Sequence, residues 1–170
     1  AEVSVSQDCT IALQPRAVYA YVAAKDKKEM EKEAEEFYKA ASPYKPTYYW
    51  LDVEEKTMKD MNAGVEAFRA KLQALGAKNI GLYIGTYFME EHSISTDKFT
   101  ALWIPTYGFD DGYYNAAPDT NTEYDLHQYT SQGQLNGFSH YLDLNQIAPT
   151  QDQEAIYRKL FKVQKDGSSS

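Results

Sequence analysis

The sequence predicts an α/β fold of parallel strands joined by right-handed helical crossovers. Three observations carry that expectation. Short apolar, aromatic-rich runs alternate with amphipathic stretches in the order strand, helix, strand, helix, strand, short helix, followed by strands with little helix between them. The intervening stretches are long enough to return the chain to the same end of a sheet, and such crossovers are right-handed. The 170 residues suffice for one domain with a sizeable core.

Taken in order, residues 1–15 read as an irregular start, with strand-like alternation over Glu2 to Ser6 and a break at Gln14-Pro15. Ala17 to Ala24 is a strand-like apolar run. Asp26 then caps a helix to about Ala41, and Glu29, three residues on, completes a capping-box pattern. Met30, Ala34, Phe37 and Tyr38 form its apolar stripe, and the charges opposite form a solvated face. Pro43 and Pro46 mark the turn into a strand over Thr47 to Val53. A helix from about Thr57 to Leu75 carries Met61, Val65, Phe68 and Leu72 inward and stops at Gly76.

Asn79 to Gly85 is the third strand, Tyr87 to His92 a short helix or loop, and Thr100 to Tyr107 the fourth strand, bearing Trp103. Phe109 to Thr122 is a loop rich in Gly, Asn, Asp and Pro. Tyr124 to Tyr129 is a fifth strand, Ser131-Gln132-Gly133 a turn, and a sixth strand lies around Tyr141 to Leu144. Residues 152–165 suit a helix or a strand-like tail, and Lys165 to Ser170 has linker character. The expected division is 1–15, 16–150 and 151–170.

A net charge of -8 argues against a nucleic-acid partner or an anionic membrane surface. No apolar run approaches the roughly 20 residues of a membrane span. The single cysteine, Cys9, excludes an internal disulfide. Without an initiator Met or a charged-then-apolar leader, Ala1 reads as a processed or engineered terminus. The 15 tyrosines, with 2 Trp and 7 Phe, suggest an aromatic-lined cleft, although many must serve in core and rim.

The chemistry centres on Tyr48-Tyr49-Trp50-Leu51-Asp52-Val53-Glu54-Glu55. Alternate residues of a strand share a face, so Asp52 and Glu54 point the same way with Cα atoms about 6.6 Å apart. Desolvated together, one carboxyl should be raised in pKa beside an ionised partner, an arrangement suited to acid catalysis. The plainer reading is a strand running into a solvated acidic turn. Asp143, ending a later strand, is a third acid that a barrel brings to the same end, and paired carboxylates are what glycosidic cleavage requires. A metal site is less favoured, because His92, His127 and His140 lack zinc spacing and no calcium loop occurs. No metal or cofactor is expected.

Tyr19, Tyr21, Tyr49, Trp50, Tyr83, Trp103, Tyr107 and Tyr129 form an aromatic set that, with the acids, fits a sugar groove; for any one of them core packing is the commoner role. There is no G-x-S-x-G, no Gly-rich phosphate loop, and His127 reads as a structural histidine.

Several stretches together resemble the glycoside hydrolase family 25 muramidases, the lysozymes of bacteria and phage lysins. Tyr48 to Glu54 resembles the family strand ending in Asp-x-Glu. Gly81-Leu82-Tyr83-Ile84-Gly85-Thr86 resembles the next strand, and Ala101-Leu102-Trp103-Ile104-Pro105-Thr106-Tyr107 resembles Leu-Trp-Ile-Ala-x-Tyr. Asp125 to Gly133 resembles Trp-Gln-Tyr-Thr-Ser-x-Gly, and Gly137 through Tyr141-Leu142-Asp143-Leu144-Asn145 resembles the closing Gly-x-x-x-x-Val-Asp-Leu-Asn. The match spans roughly residues 16–147. It departs at His127, where the family has an aromatic, and at Pro105, where it has Ala. Family members also open with a strand carrying Asp-Val-Ser, then helices and a second strand; here Glu2 to Gln7 offers only a faint echo, with Glu2 in place of the Asp.

The resemblance implies an irregular, TIM-like β/α barrel of eight strands, incomplete at its N-terminal side. It implies cleavage of the β-1,4 bond between N-acetylmuramic acid and N-acetylglucosamine in peptidoglycan. Glu54 would be the general acid/base, Asp52 would stabilise the developing cation as nucleophile or by orienting the 2-acetamido group, and Asp143 would complete the cluster. Tyr19, Tyr21, Tyr83, Trp103, Tyr107, Gln128 and Tyr129 are the expected substrate contacts. Secreted or wall-directed action, a wall-binding module in a longer parent, and self-association through open barrel edges are further expectations. The alternative is a non-catalytic remnant that binds glycan or protein.

Overall fold

The computed structural model describes residues 3–5 and 17–161. Its elements are β1 (Val3–Val5), β2 (Ala17–Tyr21), α1 (Lys27–Ala41), β3 (Tyr48–Val53), α2 (Met61–Leu75), β4 (Ile80–Ile84), α3 (Thr86–Glu91), β5 (Ala101–Pro105), β6 (Leu126–Gly133), β7 (Leu142–Ile147) and α4 (Gln153–Phe161). The strands form one seven-stranded sheet in the order β1 to β7. Strands β2 to β6 run parallel, as the crossovers require, while β1 and β7 flank them antiparallel. The sheet curls but does not close, giving the expected incomplete barrel. Glu2 lies outside the described residues.

One face of the sheet is sealed by α1 and α2. Asp26 accepts from Glu29 N at 2.9 Å and Glu29 accepts from Lys25 N at 2.9 Å, so the expected capping box starts α1. Met30, Ala34, Phe37 and Ala41 of α1 are buried with Met61, Val65, Phe68 and Leu72 of α2. They meet the odd-numbered residues of β3 and the even-numbered residues of β4. Phe37 lies edge-on to Tyr49 at 5.5 Å and 6.4 Å from Phe68, and Tyr38 stacks on Tyr49 at 5.8 Å. Tyr49 thus belongs to the helix-side core and not to the groove.

Two elements differ from expectation, and a third is settled between its alternatives. Helix α2 begins at Met61, because Asp60, not Thr57, supplies the cap, accepting from Ala63 N at 3.0 Å. Ser131-Gln132-Gly133 continues β6, and the turn comes later, with Phe138 N donating to Leu135 O at 3.1 Å and Gly137 at φ 94. Gly133 serves close cross-strand packing: a Cβ there would lie 2.3 Å from Leu144 Cγ. The last segment is a helix, α4. Ile156 and Leu160 bury one face of α4, Lys159 pairs with the buried Asp125, and Tyr48 Oη donates to Lys159 O at 3.4 Å.

The other, concave face carries the even residues of β3 and the odd residues of β4 and β5. Register places Tyr19, Trp50, Gly81 and Ala101 in one row and Tyr21, Asp52, Tyr83, Trp103 and Leu126 in the next. Gly81 is required by this layering, since a Cβ would sit 2.3 Å from Trp50 Cε3. Trp50 is held between Tyr48, stacked at 5.5 Å, and the edge of Trp103 at 5.5 Å. Gly81→Ala is therefore expected to cost about 1–3 kcal/mol of unfolding free energy. Tryptophan fluorescence during urea unfolding would report it; an unchanged midpoint would refute the tight fit.

Candidate active site

Strand β3 ends in the acids. Asp52 is half-buried and Glu54 is exposed on the same face, one step further along the chain. Asp52 Oδ1 is buried without a hydrogen-bond partner among the described residues. Burial, followed by the charge of Glu54, pushes the Asp52 carboxyl up to about 7. The inner of the two acids thus holds its proton more tightly than an ordinary carboxyl.

Asp143 reaches the same end by a different route from the one expected. It lies near the start of β7, not at the end of a parallel strand. Because β7 runs antiparallel to β6, with Leu142 opposite Gly133 and Ile147 opposite Leu126, its start lies beside the C-terminal ends of the parallel strands. Burial raises the Asp143 carboxyl, a hydrogen bond from Gln128 lowers it, and the charge of Asp110 adds to the rise.

Gln128 is the bridge. Its Oε1 accepts from Tyr83 Oη, and from Tyr107 Oη at 3.0 Å, which leaves its amide N–H to donate to Asp143. The two phenols lie 3.4 Å apart. Burial holds Tyr83 above the usual tyrosine range and also raises Tyr107, to which the charges of Asp143, Asp110 and Glu54 add. The pair is therefore a neutral, hydrogen-bonding floor between the acids. Trp103 packs edge-on to Tyr83 at 5.0 Å and donates from Nε1 to Asn145 Oδ1 at 2.8 Å. Tyr21, beside Asp52 in register, is raised to about 12 by burial and by its hydrogen bond with Glu55. Tyr19 stands exposed one row below.

The expected residues thus converge, with one exception. Tyr129 lies on the opposite face of β6 from Gln128, against Tyr114 at 6.1 Å and the buried His127 at 6.3 Å. His127 is satisfied structurally, with Nε2 on Thr106 O at 2.7 Å and Nδ1 3.3 Å from Gln146 Nε2. Asn145 and Asp110 were not anticipated in the site. Asp110 was legible only as part of a loop rich in Gly, Asn, Asp and Pro, and Asn145 only as the last residue of the Asp-Leu-Asn resemblance. Among the described residues no group of His, Cys, Asp and Glu is arranged to hold a metal.

The raised Asp52 makes stability depend on pH. Its folded value, about 7 against 3.8, means that the folded state binds the proton more tightly, so stability falls as pH rises through that window. The full shift would correspond to about 4 kcal/mol; water at the partly exposed carboxyl reduces this to about 1–3 kcal/mol. Asp52→Asn is expected to be more stable than the parent at pH 8 by that amount, with the difference fading below about pH 4. Urea unfolding at both pH values checks it, and a pH-independent difference would contradict the burial argument.

Residues 7–138 match the family model for glycosyl hydrolases family 25. Among solved structures, the chain is similar to GHIP, a glycosyl hydrolase 25 of Streptococcus pneumoniae described as a virulence factor participating in host cell invasion. Identity is 64% and the TM-score 0.82, over 84% of this chain and 63% of that one. It is also similar to the catalytic domain of endolysin ply40 from bacteriophage P40 of Listeria monocytogenes, at 27% identity and TM-score 0.69 over 84% of this chain and 69% of that one. The CTP1L endolysin shares 26% identity at TM-score 0.64, over 83% of this chain and 49% of that one. No curated protein matches the chain. The chain spans less than two thirds of the pneumococcal structure, 63% of its length. With a family model covering most of its residues and that fold beneath its acids, the chain belongs to glycosyl hydrolases family 25.

Proposed function

We propose that this chain supplies the catalytic face of a peptidoglycan hydrolase that cleaves the β-1,4 bond between N-acetylmuramic acid and N-acetylglucosamine. The observation that carries the reading is the Asp52 and Glu54 pair facing Asp143 across the Tyr83–Gln128–Tyr107 floor. Glu54, exposed, can reach the glycosidic oxygen of a bound sugar and donate a proton to it. Asp52, one row deeper, lies where it can orient the 2-acetamido group or stabilise positive charge at the anomeric carbon. Gln128 and the two phenols hold Asp143 and present hydrogen bonds to the sugar. Action at the cell wall follows from this substrate. Among the described residues no helix is long and apolar enough to cross a membrane.

A second reading has one observation in its favour. The raised Asp52 carboxyl is suited to proton donation near neutral pH, with Glu54 as its partner. Both readings give the same product. Digestion of purified peptidoglycan, followed by borohydride reduction, is expected to yield muramitol. Glucosaminitol, or no new reducing ends, would overturn the proposed bond.

A further inference from the structure

Past Asp143 the acid cluster opens into a polar groove between the loop after β5 and the hairpin joining β6 to β7. It consists of two cavities of 330 and 810 Å³ that share Tyr113, Gln134 and Tyr141. These volumes fall in the range of small-ligand sites. Both cavities are lined by Tyr141, two residues before Asp143, so the groove begins beside that acid.

Its walls are well anchored. Asp110, in a left-handed conformation at φ 50, accepts from Ser131 N at 2.7 Å, Ser131 Oγ at 2.6 Å and Thr130 Oγ1 at 2.7 Å. Gly112 N donates to Thr130 Oγ1 at 3.1 Å. The loop is thereby fastened to β6.

Three large rings nevertheless face water in this groove: Tyr113 is 75% exposed, Phe138 64% and Tyr141 60%. Clustered exposed rings mark interaction surfaces. Neither cavity is lined by Lys or Arg, and beside the one imidazole, His140, stand Asp110 and Asp111, so the lining does not favour an anionic ligand. The remaining polar groups include the amides of Gln132, Gln134 and Asn136, which both donate and accept. Rings that cover the C–H face of a pyranose, beside amides that meet hydroxyl and acetamido groups, constitute the chemistry of saccharide recognition.

We infer that this groove is a distal subsite for N-acetylated sugar residues of the glycan strand, lying beyond those at Asp52 and Glu54. The inference rests on the glycan-cleaving reading and deepens it by assigning a preference for long strands. The test is calorimetric binding of β-1,4-linked N-acetylglucosamine trimer and hexamer to the Glu54→Gln protein. The hexamer is expected to bind about tenfold more tightly. Tyr113→Ala and Tyr141→Ala should each remove most of that advantage, and Tyr141→Phe should retain it. Tyr87→Ala, which deletes a ring 86% exposed outside the groove, should also retain it. Equal affinity for the two lengths, an advantage that survives both alanine variants, or no binding of the hexamer would overturn the subsite. Failure of the catalytic reading shows separately, as wall hydrolysis that Glu54→Gln leaves intact.

Discussion

Glu54→Gln is expected to lower the rate of peptidoglycan hydrolysis by roughly two to four orders of magnitude, the usual contribution of a positioned proton donor. Glutamine keeps the size of the side chain and its place on the solvent side of β3, so the fold is undisturbed and the loss is chemical. Glu54 is exposed, and among the described residues it makes no hydrogen bond that holds another element of the fold together, so the thermal midpoint should move little. The same variant separates the two readings of the acid pair. A nitrophenyl leaving group departs without protonation, so an enzyme that has lost only its acid keeps much of its activity on such a glycoside. If Glu54 is the acid, Glu54→Gln fails on peptidoglycan and is spared on the activated substrate, whereas Asp52→Asn fails on both. If Asp52 is the acid, the pattern reverses. Undiminished hydrolysis of peptidoglycan by Glu54→Gln would remove it from the mechanism.

Phe37→Ala is expected to destabilise the protein by about 3–5 kcal/mol. Phe37 is fully buried where α1, α2 and β3 meet, edge-on to Tyr49 and tilted against Phe68. No neighbour can fill the space, because Tyr49 is tied to the sheet ladder and stacked by Tyr38. Net stabilities of domains are about 5–15 kcal/mol, so this one ring accounts for a large share. The effect should appear in the urea midpoint, and a change below about 1 kcal/mol would mean that the helix layer is not packed as described. Since Tyr49 and Trp50 are adjacent but face opposite sides, partial loosening would also blur the acid site. Sub-denaturing urea should therefore reduce activity earlier in this variant than in the parent.

The helix layer was legible because its signals are local. Asp26 with Glu29, the stripe through Met30, Ala34 and Phe37, and Gly76 each act within a few residues. Asp52 and Glu54 were legible for the same reason, since strand alternation alone puts them on one face. Their unequal burial was not, because it depends on Tyr21 and Tyr83, which register brings beside Asp52 from other strands. The direction of β7 was also hidden. Gly133 carries a turn residue's identity but serves a close approach to Leu144, which only the paired strands reveal. Tyr129 was expected in the groove as one of the aromatic set and from the resemblance, and two-residue periodicity across β6 sends it to the other side from Gln128. The bridging role of Gln128 needed three strands and a loop to be assembled before its amide had partners.

The reversal of β7 separates two properties that would otherwise be tied together. Asp143 is placed by the ladder between β6 and β7, with its register shifts between Gln128 and Thr130 and between Thr130 and Gly133. The rings of the groove are carried instead by the turn beyond that ladder and by the loop opposite. Residues can be gained or lost at the turn without sliding the ladder, whereas a one-residue slip within it would carry Asp143 to the other side of the sheet. Under the proposed subsite, the length of sugar chain that the groove accommodates is thus free to drift while the spacing of the acids stays constant.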